Sequence, residues 1–313
     1  MKILMFGRGV INTQYGWALE KASHDVTFYV RNGRMAKYGD TVSLNIYDAR
    51  KSIFKPVIET WKVKMTEELE VNHNYDLIVI SVQHYQLSSA MEIITDKVGN
   101  ATVLLFNNFW NEPEPMVAKL PKEQIVWGFP RAGGGFDQNG ILKGTLFDNF
   151  IIGTFGIELS DRTVRIIDDF KTAGFKPIIY NDFRSYLFTH FVFNAALHPE
   201  NLKSRDGIAS PSEMITSRYW KNVILNYKEL QPILKARNVN LKINPELKIF
   251  LLPPFLLSCA MSIVLKFFPA IKQIFTAHSN SEELKSYCRD VLKTANELNI
   301  KLPRFEANKH LYQ

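Results

Sequence analysis

The sequence predicts an α/β domain followed by an all-α domain, and three observations predict it. Short β-rich apolar runs at residues 2–6, 26–30, 76–82 and 102–106 alternate with helical spacers. Strand runs with helical spacers imply βαβ units and a mostly parallel sheet. A glycine turn separates the first run from the first helix, and beyond residue 160 the texture becomes mainly helical. The 313 residues correspond to roughly two domains at ~150 residues each. The boundary is expected near Asn181, giving domains 1–180 and 181–313.

Each element has its own signal. Residues 12–22 read as a helix with Tyr15, Ala18 and Leu19 on one face, and residues 87–97 as a second helix. The pieces IVWGF, ILKGTLF and FIIGTFG, within residues 124–156, are short, strand-like and separated by glycines. They are expected as antiparallel strands added to the sheet edge. Residues 161–173 form an amphipathic helix and residues 176–180 a strand-like piece. Helices are expected at 184–196, 211–236, 253–268 and 281–298. Ser210 suits the N-cap of the 211–236 helix, with Pro211 at its first position. Pro232 is expected to kink that helix or end it early.

Composition excludes several classes. Hydrophobic residues make up 46% and charged residues 22%, so the chain is globular rather than disordered. The net charge is 38 − 31, or +7, but no Lys/Arg block reaches five residues, which argues against a nucleic-acid partner. Cys259 and Cys288 give no metal spacing and no disulfide framework. The opening MKILMFGRG lacks the long apolar region of a secretory signal. Residues 249–265 are an uncharged run at the lower edge of the roughly 17–25 residues that span a bilayer. With Pro253 and Pro254 near its start, the run is expected as a buried core helix, the alternative being an apolar helix at the surface. A cytoplasmic protein without integral membrane insertion is the expectation.

The strongest motif is Gly7-Arg8-Gly9-Val10-Ile11-Asn12, between the first strand and the first helix. A dinucleotide pyrophosphate needs this arrangement. Gly7 permits the tight turn, Gly9 lets the backbone approach the phosphates, and the helix N–H groups face the anion. Asn12 stands where the fingerprint has its third glycine, and Gly16, one turn later, is placed to supply helix–strand clearance. The alternative is a glycine turn without a ligand. The second strand ends in Arg31, with Arg34 and Lys37 following, where a dinucleotide site selective for NAD carries a carboxylate. A guanidinium binds a 2′-phosphate bidentately, so NADP(H) is the expected cofactor. Arg31 is the expected contact, Arg34 assists, and a solvated basic turn is the alternative.

The opening GRGVINTQYGWALEKASHDVTFYVR and the order of the later segments resemble the ketopantoate reductase (2-dehydropantoate 2-reductase) family. The resemblance implies a Rossmann-type NADP-binding domain and a helical substrate and dimerisation domain, with the active site in the interdomain cleft. It implies NADPH-dependent reduction of a 2-oxo acid to a 2-hydroxy acid, a small-molecule carbonyl substrate, a place in pantothenate biosynthesis and, as in some members, a homodimer.

Carried over position by position, the family's Lys in K-x-x-Q falls on Gln83, and its Gln on Gln86. The Asn of the family's Asn-Gly-x-Gly turn is Asn108, while Phe109 and Asn111 replace the glycines. The catalytic Lys falls on His190, the first Asn on Asn194 and the second on His198. The acidic site residue falls on Glu283, and the family's serine falls near Ile271. His190 is then the candidate proton donor, while Asn194 and Glu283 orient the substrate; the alternatives are a satisfied histidine at 190 and at 198 and a solvated helix carboxylate at 283. Phe188, Phe191, Phe193, Phe109 and Trp110 point to a less polar substrate pocket than ketopantoate requires, the alternative being that these aromatics are simply core. The alternative is a chain that retains NADP binding and has lost catalysis, acting as a regulatory or partner protein.

Overall fold

The structure, a computed structural model, describes residues 1–204, 207–277 and 280–313. The chain divides into two compact units, Met1–Asn181 and Asp182–Gln313.

The first unit contains, in order, β1 (Lys2–Phe6), α1 (Val10–Lys21), β2 (Asp25–Tyr29), α2 (Arg34–Tyr38), β3 (Thr41–Asp48), β4 (Val57–Lys62), β5 (Lys64–Thr66), β6 (Leu77–Ile80), α3 (Leu87–Ile94), β7 (Thr102–Leu105), α4 (Pro113–Met116), β8 (Ile125–Phe129), β9 (Ala132–Phe136), β10 (Leu142–Leu146), β11 (Asn149–Gly153), α5 (Asp161–Thr172) and β12 (Lys176–Tyr180). Its main sheet has the order β12-β11-β8-β7-β6-β1-β2-β5. All neighbours are parallel except β8 and β11. β1, β6 and β7 are almost wholly buried apolar strands, as a parallel sheet covered on both faces requires.

The expectation for residues 124–156 needs correction. β8 joins the main sheet in parallel with β7, and only β11 runs antiparallel there. β9 and β10 leave that sheet for a second one of order β4-β3-β10-β9. β3, β4 and β5 had no place in the sequence reading.

The second sheet explains α1. The helix contacts β1 and β2 of one sheet and β9 and β10 of the other. Every residue from Asn12 to Leu19 is consequently buried. Trp17 Nε1 donates to Glu59 Oε1 at 2.7 Å, and Trp61 Nε1 donates to Glu20 Oε1 at 2.7 Å, so β4 and α1 are joined reciprocally. Below them, Tyr15 stacks on Phe175 at 5.1 Å and meets Phe106 at 5.0 Å. Burying each such ring stabilises the fold by ~1.5–3 kcal/mol.

Among the described residues the regular elements of the second unit are all helices: α6 (Phe183–Leu202), α7 (Pro211–Met214), α8 (Ser217–Ala236), α9 (Pro245–Lys248), α10 (Pro254–Phe267), α11 (Pro269–Thr276), α12 (Ser281–Glu297) and α13 (Pro303–Glu306). Ser210 does cap a helix, accepting from the backbone N–H of Glu213, but that helix is only α7. A new N-cap, Thr216, then starts α8. Pro232 does not end α8, which continues to Ala236. The proline cost of ~3 kcal/mol is offset by buried Tyr219, Trp220, Val223, Ile224, Leu230 and Leu234 along the same helix.

The expectation of a buried core helix over residues 249–265 is also corrected. In α10 only Leu257, Ser258 and Leu265 are buried. Phe255, Leu256, Ile263 and Phe267 are 71%, 64%, 57% and 70% exposed.

Candidate functional site

The parallel register brings several chain segments to one edge of the main sheet. Phe6 pairs with Tyr29 and with Ile80, and Ile80 pairs with Leu105. Gly7 and the segments leading to Arg31, Gln83 and Asn108 therefore emerge together at the carboxyl ends of β1, β2, β6 and β7. Ligands of open α/β sheets bind at such an edge, where the strand order reverses.

The turn after β1 is built for close approach. Gly7 has φ +94°, a conformation L side chains rarely adopt, and its N–H donates to Tyr29 O at 2.8 Å. Neither Gly7 nor Gly9 has an atom within 4 Å of where a Cβ would stand. Gly9 is the N-cap of α1, with no side-chain cap and no acidic residue in the first turn. The N–H groups at the start of α1, over Val10, Ile11 and Asn12, thus lack the side-chain acceptors that usually satisfy them. A diphosphate fits this turn: open space, a left-handed glycine and uncapped donors at a positive helix end.

Asn12 braces the turn. Its Nδ2 donates to Phe6 O at 2.8 Å and to Gly7 O at 3.0 Å. The clearance attributed to a third glycine falls to Gly16, where a Cβ would meet Phe28 Cζ at 2.8 Å. The Arg8 guanidinium lies over the Tyr38 ring at 4.3 Å and reaches Tyr38 O at 3.5 Å and Thr41 O at 3.4 Å. Burial lowers its pKa, with Tyr38 opposing the shift.

Arg31 follows the buried Val30 and is exposed, with no side-chain hydrogen bond or ion pair among the described residues. Arg34 begins α2 beside it. Glu67, just past β5, was not singled out in the sequence. Its Oε1 accepts from Met35 N at 2.7 Å. The backbone N–H groups of Met35, Gly33 and Arg34 hold this carboxyl below its ordinary pKa. The signal for it was structural only, because β5 pairs with β2 in parallel and carries Glu67 to the end of the neighbouring strand.

Gln83 is half-buried and caps the single turn His84–Gln86, where Gln86 Oε1 accepts from Gln83 N at 3.4 Å. Asn108 is half-buried. Its neighbour Asn107 is fully buried and donates through Nδ2 to Val82 O at 2.7 Å, tying the ends of β6 and β7 together.

The remaining candidates belong to the second unit. His190 and Asn194 lie one turn apart on α6, both half-buried. The His190 ring is 6.1 Å from that of Tyr186 and 6.4 Å from that of Phe193. His198, one turn further, is buried and meets the Tyr287 ring of α12 at 4.9 Å. Phe191 packs on the same ring at 4.3 Å, and Phe188 is also buried, so part of the aromatic character of α6 is helix–helix core. Glu283 is half-buried in the first turn of α12, the helix that packs on α6. Among the described residues no cluster of His, Cys, Asp and Glu suits a metal ion. A cavity of about 470 Å³ beside His24 and Asp25 lies at the opposite, amino edge of the main sheet, away from the glycine turn.

Residues 3–156 match the family model described as Ketopantoate reductase PanE/ApbA. No curated protein matches the chain. Among solved structures, the chain is similar to D-mandelate dehydrogenase in a ternary structure with NADH and anilino(oxo)acetate (TM-score 0.71, 16% identity, covering 100% of this chain and 97% of that one). It is similar to 2-dehydropantoate 2-reductase from Geobacter metallireducens GS-15 (TM-score 0.68, 17% identity, 100% and 99% covered). It is also similar to a dimeric ketopantoate reductase from Staphylococcus aureus (TM-score 0.63, 11% identity, 100% and 98% covered). Through residues 3–156 the chain carries a domain of the ketopantoate reductase PanE/ApbA family.

Proposed function

We propose that the protein is an NADPH-dependent reductase that converts a 2-oxo acid, or a related carbonyl compound, to the hydroxy compound. The observation that carries this reading is the uncapped amino end of α1 behind a left-handed Gly7. The family match, and the NADH in the D-mandelate dehydrogenase structure, support a nicotinamide dinucleotide there. In this reading the first unit is the cofactor domain and the second the substrate and dimerisation domain.

The residues divide the work as follows. Backbone N–H groups of Gly9, Val10, Ile11 and Asn12 hold the diphosphate, with Gly7 shaping the turn and Arg8 flanking it. Arg31 takes the 2′-phosphate, being an exposed guanidinium at the end of β2. Gln83 and Asn108, at the ends of β6 and β7, border the nicotinamide. The cofactor, when bound, supplies the hydride. His190 holds a proton at an imidazole nitrogen for the alkoxide oxygen, the imidazole being able to donate through either ring nitrogen. Asn194 and Glu283 orient the substrate, Asn194 through an amide donor and Glu283 through a carboxylate acceptor.

The test has two arms. NADPH binding is followed by fluorescence, and NADPH oxidation is measured with ketopantoate and a panel of aliphatic and aryl 2-oxo acids. Turnover of at least one 2-oxo acid, lost in His190→Ala, is expected. Full turnover by that variant removes His190 from the mechanism. Binding without turnover on the whole panel makes the chain an NADP-binding regulatory or partner protein, and no binding at all overturns the reading.

A further inference from the structure

We propose that the solvent-facing side of α10 is a docking surface for an anionic lipid bilayer. Almost half of the exposed large apolar side chains among the described residues fall between Ile249 and Phe268. A helix apolar all round is ordinarily buried all round, in a core or in a membrane. α10 is apolar on nearly every side, Lys266 being its one charged residue, and it is buried on one side only. Leu257, Ser258 and Leu265 face inward, whereas Leu252, just ahead of the helix, and Phe255, Leu256, Ile263 and Phe267 are exposed on the other side, with the small Ala260 exposed between them. Contiguous apolar surface of this kind marks an interaction site.

Charge selects the occupant. No Asp or Glu occurs between Glu246 and Glu282, while Lys248, Lys266 and Lys272 lie within that stretch. Lys266 is exposed beside Phe267, in the last turn of α10. A second copy of the chain is the poorer partner. A two-fold contact places the same patch on itself, so it would bring lysines toward lysines with no carboxylate from the patch to pair them. A bilayer bearing anionic headgroups satisfies both halves of the surface, taking the aromatic and aliphatic side chains below the headgroups and the ammonium groups among them. Lysine stems reach that level readily.

In this proposal α10 lies on the membrane surface. No single helix among the described residues is long and apolar enough to span a bilayer. At ~1.5 Å per residue, α10 falls well short of the ~30 Å hydrocarbon core. α10 and α11 together reach the length and apolarity of a span, but the chain turns by 106° between them.

The experiment uses the full chain, sedimented with vesicles of phosphatidylcholine alone or of phosphatidylcholine and phosphatidylglycerol in equal parts. The oligomeric state is measured by light scattering. Co-sedimentation with the anionic vesicles is expected, weakening as salt rises, with little binding to phosphatidylcholine. Phe255→Ser combined with Phe267→Ser abolishes the binding. Lys266→Glu lowers the partition coefficient roughly tenfold or more. Both variants keep the far-UV circular dichroism of the parent, because the altered side chains are exposed. Failure of the parent chain to bind anionic vesicles overturns the proposal. So does binding that neither variant reduces, or a dimer in solution that the double substitution dissociates, which would make a second copy the occupant.

Discussion

Gly16 of α1 lies against the ring of Phe28 in β2: a Cβ on Gly16 would stand 2.8 Å from Phe28 Cζ and 3.3 Å from Val26 Cγ1. The ring cannot yield, since Phe28 is fully buried between α1 and the aromatic edge of Trp61 at 5.7 Å. Two effects oppose each other in Gly16→Ala. Helix propensity favours alanine by ~1 kcal/mol, while forcing a methyl into a packed core costs ~1–3 kcal/mol. The contact is tight enough for the second to win, so the variant should lose up to about 2 kcal/mol by urea unfolding. Phe28→Leu in the same chain should remove part of that loss, and a strictly additive double variant would mean that the two side chains do not compete for this space.

Asn12 makes the opposite point about the same helix. At the position where the dinucleotide fingerprint has a glycine, its amide bonds two carbonyls of the turn, those of Phe6 and Gly7. Restoring glycine removes both bonds and gives nothing back, because Gly16 already supplies the clearance. Asn12→Gly should cost about 1–3 kcal/mol in thermal unfolding and weaken NADPH binding by fluorescence titration. An unchanged melting temperature would show that the turn holds its shape without this brace.

The parallel core was legible because it is local. β1, β6 and β7 are short apolar runs with helices between them, and each announces itself within a few residues. The second sheet was not, because its pairing is remote. β3 joins β10 in register Leu44↔Leu142, nearly a hundred residues apart, and the polar alternation of β4 reads equally well as loop. α10 misled for another reason. An unbroken apolar run has no period to say which side is covered, and the sequence could not show that one side stays in solvent. At the candidate site the glycine turn was readable, whereas Glu67 became visible only once β5 was placed beside β2.

The Ser210–Glu213 capping box gives a pH dependence with a definite sign. Glu213 Oε2 accepts from Ser210 N at 2.7 Å, from Ser210 Oγ at 2.8 Å and from Ser204 Oγ at 3.1 Å. These bonds, the Ser210 backbone first, hold its carboxyl below the usual range. A depressed carboxyl pKa stabilises the fold above its unfolded value of ~4.3 and loses that contribution as pH falls through the lower folded value. Glu213→Gln should therefore be less stable than the parent at neutral pH, by less than ~1 kcal/mol at so exposed a site. The gap should close in acid. A gap that persists at pH ~3 in urea titrations would assign the loss to packing instead of charge.

In the proposed reading, Arg31 and Glu67 set the balance between the two nicotinamide dinucleotides. The guanidinium favours a 2′-phosphate, while the carboxylate holds backbone N–H groups of the adjoining turn and repels that phosphate. Arg31→Ala should raise the NADPH dissociation constant about 10- to 100-fold, the worth of a charged hydrogen bond, and leave NADH nearly unchanged. Glu67→Gln keeps an acceptor for Met35 N and removes the negative charge, so it should tighten NADPH several-fold without a matching effect on NADH. Titrating both dinucleotides against the parent and the two variants checks each residue separately. Equal losses for NADH and NADPH in Arg31→Ala would place Arg31 outside the 2′-phosphate contact, and an unaltered NADPH affinity in Glu67→Gln would make that carboxylate a turn brace with no part in cofactor choice.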